Sequence, residues 1–153
     1  MSANADVSAD PLVQRLADER AIADVTIAYC WAIDNHEWDV LRKSVFLSDA
    51  TANLGSELVG VEPIIDRCNG ALGRLDTSQH MVSNHQIAID GDSATCRCYF
   101  HAQHVRKAAE GGPNYVVAGI YADQLVRTAN GWRIKHRNLS VLWTQGNFQV
   151  IRG

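Results

Sequence analysis

Two residues far apart in this chain, Asp34 and His80, have the types and settings needed to move a proton. From Ala21 to Ile33 the sequence reads AIADVTIAYCWAI, and the face carrying Ala23, Ile27, Cys30 and Trp31 arrives one turn later at Asp34. A carboxylate entering a core needs a hydrogen-bonding or cationic partner, because burying it alone is costly or neutralises it. His80 is the candidate partner. A neutral imidazole, with an ordinary pKa of about 6.5, can take a proton near neutral pH, and an ionised carboxylate fixes its tautomer and stabilises the imidazolium that forms. If hydroxide, water or halide leaves the neighbouring carbon, the result is elimination. Returning the proton elsewhere gives isomerisation.

Asp34 also has a structural reading. Asp34, Asn35, His36 and Glu37 before Trp38 fit a capping box, in which Asp34 caps a second helix and Glu37 reaches back to the capping amide. Both readings are compatible with the spacing, and position alone slightly favours the cap.

The elements that must position this pair read in two halves. Pro11 to Ile33 is a helix with Asp10 as cap and Pro11 in the first turn, with a possible break near Asp18. Trp38 to Phe46 reads as a second helix, Asp49 to Leu54 as a short strand, and Val61 to Leu72 as a third helix with Pro63 in its first turn and Gly73 just after. Four strand-like runs follow, Gln79 to Ile89, Ala94 to Val105, Tyr115 to Thr128 and Trp132 to Trp143, separated by Gly-, Asp- and Asn-rich turns. Helices first and an antiparallel meander afterwards predict an α+β fold, with the helices on one face of a curved sheet that encloses a pocket.

Two strands carry a parity fault. Val82 opposes Ile87 and Ile89, which places an extra residue near Asn84 or His85. Trp132 and Ile134 oppose Leu139, Val141 and Trp143, which places another at His136, Arg137 or Asn138. Such bulges bend sheets and often stand beside active sites. In the second strand, Ala94, Cys96, Cys98, Phe100 and Ala102 share one parity and form a core-facing row that His104 extends.

At 153 residues and 46% hydrophobic composition the chain is expected to form one domain over residues 11–148, with short tails at 1–10 (disordered) and 149–153. The net charge of −3 and the lack of a basic run argue against a nucleic-acid partner. No apolar run approaches the roughly 20 residues that span a bilayer, and the N-terminus lacks a signal-peptide pattern, so a cytoplasmic protein away from membranes is expected. Cys30, Cys68, Cys96 and Cys98 read as reduced core residues. The run from Cys96 to His104 is no metal site: on an extended strand its ends lie about 26 Å apart. No nucleotide or flavin fingerprint is present, so no cofactor is expected.

The stretches YCWAIDNHEWDVLRKSVFLSDA, SQHMVSNHQIAIDGDSATCRCYF and GIYADQLVRTANGWRIKHRNLSVLW resemble the SnoaL-like branch of the nuclear-transport-factor-2-like superfamily, from about Ala21 to Trp143. That superfamily includes scytalone dehydratase, bile-acid 7α-dehydratase, hexachlorocyclohexane dehydrochlorinase, ketosteroid isomerase, polyketide cyclases and noncatalytic subunits of ring-hydroxylating dioxygenases. The resemblance implies a cystatin-like cone, and it favours the Asp34–His80 dyad over the cap, since the dehydratase and dehydrochlorinase members place an Asp and a His at these points. It implies a cofactor-independent lyase or isomerase acting on a small hydrophobic cyclic molecule. A cyclase with Asp34 as acid and a noncatalytic binding or assembly module are the rivals. It further implies Tyr29 as a proton donor or anchor, His104 as a group that polarises a carbonyl or assists the leaving group, and Arg137 as an anchor for an oxyanion or halide. The commoner reading of Arg137, which shares parity with Arg133 and Lys135, is a solvent-facing strand residue. Asn84, Tyr115 and Tyr121 are candidate lining residues. Members often self-associate, so a dimer or trimer through the outer sheet face near Trp143 and Phe148 is expected.

Overall fold

The computed structural model describes residues 10–152. The tail expected over 1–10 lies, Asp10 excepted, outside the described residues, as does Gly153. Helix α1 spans Pro11–Asp34, and Asp10 caps it by accepting a hydrogen bond from the Leu12 amide at 2.9 Å. It does not break at Asp18. That residue is buried and takes hydrogen bonds from Arg127 Nη1 at 2.6 Å, Arg127 Nη2 at 2.8 Å and Trp132 Nε1 at 3.0 Å, which tie the helix to the far end of the sheet. Hydrogen bonds from Arg127 above all hold the Asp18 carboxyl well below the usual range despite burial.

The buried stripe of α1 differs from the expected one. It runs through Ile22, Val25, Thr26, Tyr29, Cys30, Ala32 and Ile33, whereas Trp31 is 68% exposed and Ile27 is also at the surface. The helix is apolar on more than one side, so spacing alone could not choose the face. The expected second helix is shorter than Trp38 to Phe46. One α turn, α2 (Trp38–Val40), widens into a π turn over Leu41–Val45, and the chain becomes extended at Phe46, whose N–H closes the turn on the Leu41 carbonyl. Helix α3 spans Val61–Leu72, and Val61, Ile64, Ile65, Cys68 and Leu72 bury its one apolar face.

The strands are β1 (Phe46–Asn53), β2 (Glu57–Val59), β3 (Thr77–Asp90), β4 (Ser93–Val105), β5 (Asn114–Thr128) and β6 (Gly131–Gly146). They form one sheet in the order β2-β1-β6-β5-β4-β3, antiparallel except where β1 pairs with β6. This is the expected α+β cone, with α1 lying along β3 and β6 and α3 against β1. The edge strand β3 therefore faces the end of α1.

The first parity fault falls at the expected place. Register shifts between Ser83 and Gln86, so that Ser78, His80 and Val82 turn inward before the bulge and His85, Ile87 and Ile89 after it. Asn84 takes the left-handed conformation, φ 57°, which asparagine tolerates better than most residues. In β6 the fault lies one residue earlier than expected, at Lys135, and a second shift leaves Leu142 unpaired. Gly119 sits opposite that second shift, where an added Cβ would collide with the Ser140 carbonyl. The C-terminal boundary also moves. Phe148–Val150 makes a 3₁₀ turn that buries Val150 against Ala109 and Tyr115, so the packed unit extends past residue 148. Met81, Tyr99, Leu142 and Trp143 remain exposed on the outer face. Among the described residues no helix is long and apolar enough to cross a membrane.

Candidate active site

Asp34 ends α1 pointing at the free edge of β3, and three donors meet its two oxygens. His80 Nδ1 lies 2.7 Å from Oδ1, Ser78 Oγ donates to Oδ1 at 2.7 Å, and the His80 backbone N–H donates to Oδ2 at 2.8 Å. That amide belongs to an edge strand and would otherwise need water. Burial pushes the Asp34 carboxyl upward, but the ring and amide of His80 and the Ser78 hydroxyl together outweigh it and hold the group below its ordinary value. The ionised carboxylate requires the proton on His80 Nδ1, which leaves Nε2 as the basic nitrogen of the neutral ring. The cap reading fails here. Glu37, not Asp34, precedes α2, that helix end has no side-chain cap, and both Asp34 oxygens are taken by β3.

A depression of about 420 Å³ between α1 and β3 reaches this carboxylate, lined by Cys30, Trp31, Asp34, Ser78, His80 and Val82 among others. Beyond His80 stands His104, which does not line this depression. It is buried at the end of the expected β4 row, with its ring edge-on to His80 and centroids 5.3 Å apart. His104 Nδ1 lies 3.2 Å from the backbone oxygen of Tyr115, its register partner on β5. Burial first, and then the neighbouring His80, push the His104 pKa down to about 4, so this ring is neutral at pH 7.

The other expected residues lie elsewhere. The Tyr29 hydroxyl meets Cys68 Sγ at 3.6 Å, and its ring packs under the Arg137 guanidinium at 4.2 Å. Arg137 is wholly buried rather than solvent-facing, because the bulge at Lys135 reverses its parity. It binds Asp123 through Nε at 2.7 Å and Nη2 at 2.6 Å, with Tyr121 on its second face at 4.3 Å. These four residues form a paired, packed centre in the cone, so neither Tyr29 nor Arg137 is placed as a free site group. Arg137 Nη1 is sealed in that cluster without a hydrogen-bond partner among the described residues. Asn84 is exposed on the opposite face and lines no part of the dyad's depression.

Three contributors were not anticipated. Ser78 shares parity with His80 two residues away, a signal the sequence did contain. Asp123 shares parity with Tyr121 and Leu125 and could have been read as an inward charge in the same way. His85, turned inward by the bulge, bonds Thr26 Oγ1 through Nε2 at 2.8 Å, and burial holds its pKa below the ordinary value.

The chain belongs to the SnoaL-like domain family, whose model matches residues 14–138. Among its relatives is the terrestric acid biosynthesis cluster protein E of Penicillium crustosum, 33% identical over 147 residues that cover 92% of this chain and 93% of that protein. Solved structures carry the same fold. The Kfla4162 protein of Kribbella flavida superposes with a TM-score of 0.83 at 24% identity, covering 91% of this chain and 99% of that one. A nuclear-transport-factor-2-like superfamily protein of Salmonella enterica gives 0.74 at 18% identity (91% and 99%), and hexachlorocyclohexane dehydrochlorinase LinA-type3 of Novosphingobium barchaimii gives 0.75 at 18% (89% and 94%). The expected SnoaL-like membership is thereby met, and the expected fold is that of these solved structures.

Proposed function

We propose that the protein is a cofactor-independent lyase or isomerase of the dehydratase type, acting on a small hydrophobic cyclic molecule, with His80 as base and Asp34 as its orienting carboxylate. The observation that carries this reading is the 2.7 Å contact between His80 Nδ1 and Asp34, which directs basicity to Nε2. His80 Nε2 takes a proton from a carbon next to a carbonyl, and Asp34 stabilises the imidazolium without itself being protonated. A relative named for a biosynthesis cluster supports a small-molecule substrate. A second reading, a noncatalytic binding or assembly module, draws support from the packed Arg137–Asp123 centre, which fills space that a larger ligand would need.

Proton abstraction can be read without the physiological substrate. The protein in D2O is expected to exchange the α-protons of 2-tetralone, followed by proton NMR, and His80→Ala is expected to slow that exchange by about 10²–10⁴. Exchange at the wild-type rate in His80→Ala, or none in the wild type, favours the module.

A further inference from the structure

We propose that the outward face of α1 is a docking surface for a second copy of this chain, packed antiparallel so that Leu16 of one protomer meets the partner's Ile27. The inference does not depend on the His80 base. Leu12, Val13, Leu16, Ile27 and Trp31 are each between 37% and 68% exposed. At about 100° per residue all five fall, with the partly buried Ala23, on the side of the helix opposite the buried Ile22, Val25 and Tyr29. A helix that has already buried one apolar face against its own sheet gains nothing in folding from a second. Contiguous exposed apolar surface of this kind marks an interaction site.

The stripe is self-complementary in one orientation only. Laid antiparallel about a point level with Ala21 and Ile22, the helix sets Leu12 and Val13 against the partner's Trp31, and Leu16 against the partner's Ile27. The same register brings Arg20 to the partner's Asp24 and Asp24 to the partner's Arg20. Both side chains are exposed, pair at 2.8 Å within one protomer, and lie along the same edge of the stripe as Val13 and Trp31. A two-fold axis across the pair keeps that edge on the same side in both copies, so opposite charges meet where apolar residues meet. Ala23, between them, lets the backbones approach. A parallel pair would instead stack Arg20 on Arg20 and Asp24 on Asp24. Ile27 and Trp31 also line the depression beside Asp34, so the partner's Val13 and Leu16 come to lie over its apolar side.

Two measurements test this. The stripe is about 28 Å long, a small interface that binds weakly, so analytical ultracentrifugation is run at about 100 µM. The wild type is expected to dimerise, and Leu16→Asp, which puts a charge in the contact, to weaken the dimer at least about tenfold. A monomeric wild type, or an oligomer that Leu16→Asp leaves intact, overturns the proposal. Loss of that oligomer in Trp143→Asp instead would place the contact on the outer sheet face. The second measurement is cross-linking. Leu16→Cys and Ile27→Cys in one chain are expected to give a covalent dimer on oxidation, read by nonreducing electrophoresis, because the two positions lie about 16 Å apart along one helix and cannot bridge within it. The four native cysteines are buried. Each single variant is expected to run as a monomer. A single variant that cross-links to itself means a parallel register, a double variant that does not cross-link means no such contact, and either overturns the assignment. The cross-link decides the matter even if Leu16→Asp does not fold.

Discussion

Asp34 accepts three hydrogen bonds with two oxygens, and that count determines what its replacement does. In Asp34→Asn the His80 backbone N–H can keep the amide oxygen, but the NH2 group then faces Ser78 Oγ and His80 Nδ1, which must accept instead of donate, so charge-assisted bonds become neutral ones and the His80 proton is driven to Nε2. Stability should fall by about 1–3 kcal/mol, measured by urea denaturation. Loss of the carboxylate charge should also slow 2-tetralone exchange by at least about tenfold. A helix cap would tolerate the change almost silently, since asparagine caps nearly as well as aspartate. Unchanged exchange and unchanged stability in the same variant would therefore remove the dyad.

At the scale of the element, the bulge in β3 places His80 and His85 on one side of a strand that simple alternation would divide. Asn84 makes this possible through its left-handed backbone, while its side chain is exposed. Asn84→Gly should leave stability within about 0.5 kcal/mol, whereas Asn84→Val, which crowds Cβ against the carbonyl in that conformation, should cost about 1–2 kcal/mol. Thermal denaturation of the pair decides it. Equal melting of the two variants would mean that the bulge carries no such constraint.

For the whole molecule, the buried histidines set the response to acid. His104 has an ordinary pKa of 6.5 when unfolded and about 4 when folded, so the unfolded chain binds its proton first. Its contribution is nil above 6.5, and stability is lost as pH falls from 6.5 toward 4. His85, also held below its ordinary value, acts in the same direction. The carboxyls of Asp18 and Asp34 are shifted below 3.8, so the stability they add is present above that value and lost only at lower pH. Urea denaturation should therefore show a loss of about 2–3 kcal/mol through His104 between pH 7 and pH 4.5. The slope should be shallower in His104→Gln. A slope unaltered by that substitution would contradict a buried neutral His104.

Family resemblance, not spacing, chose His80 over a cap for Asp34, and strand β2 went unread; the amino-acid sequence by itself determined the order of the other helices and strands, the bulge near Asn84, the inward row from Ala94 to His104, and Asp34 as an inward charge in need of a partner. Each of these is written in local periodicity, turn residues or the need of one charge for a partner. Tertiary structure decided the rest, because it depended on which of several faces met a neighbour. Trp31 lies on an apolar side of α1 that no described residue buries, and Arg137 turned inward because the bulge fell before it, at Lys135. Once inside, Arg137 required Asp123, and two tyrosine rings closed over it, converting expected site residues into packing. The polarity of His104 was decided the same way. Which ring nitrogen holds the proton follows from a backbone carbonyl eleven residues along the chain, and only strand register brings that carbonyl within reach.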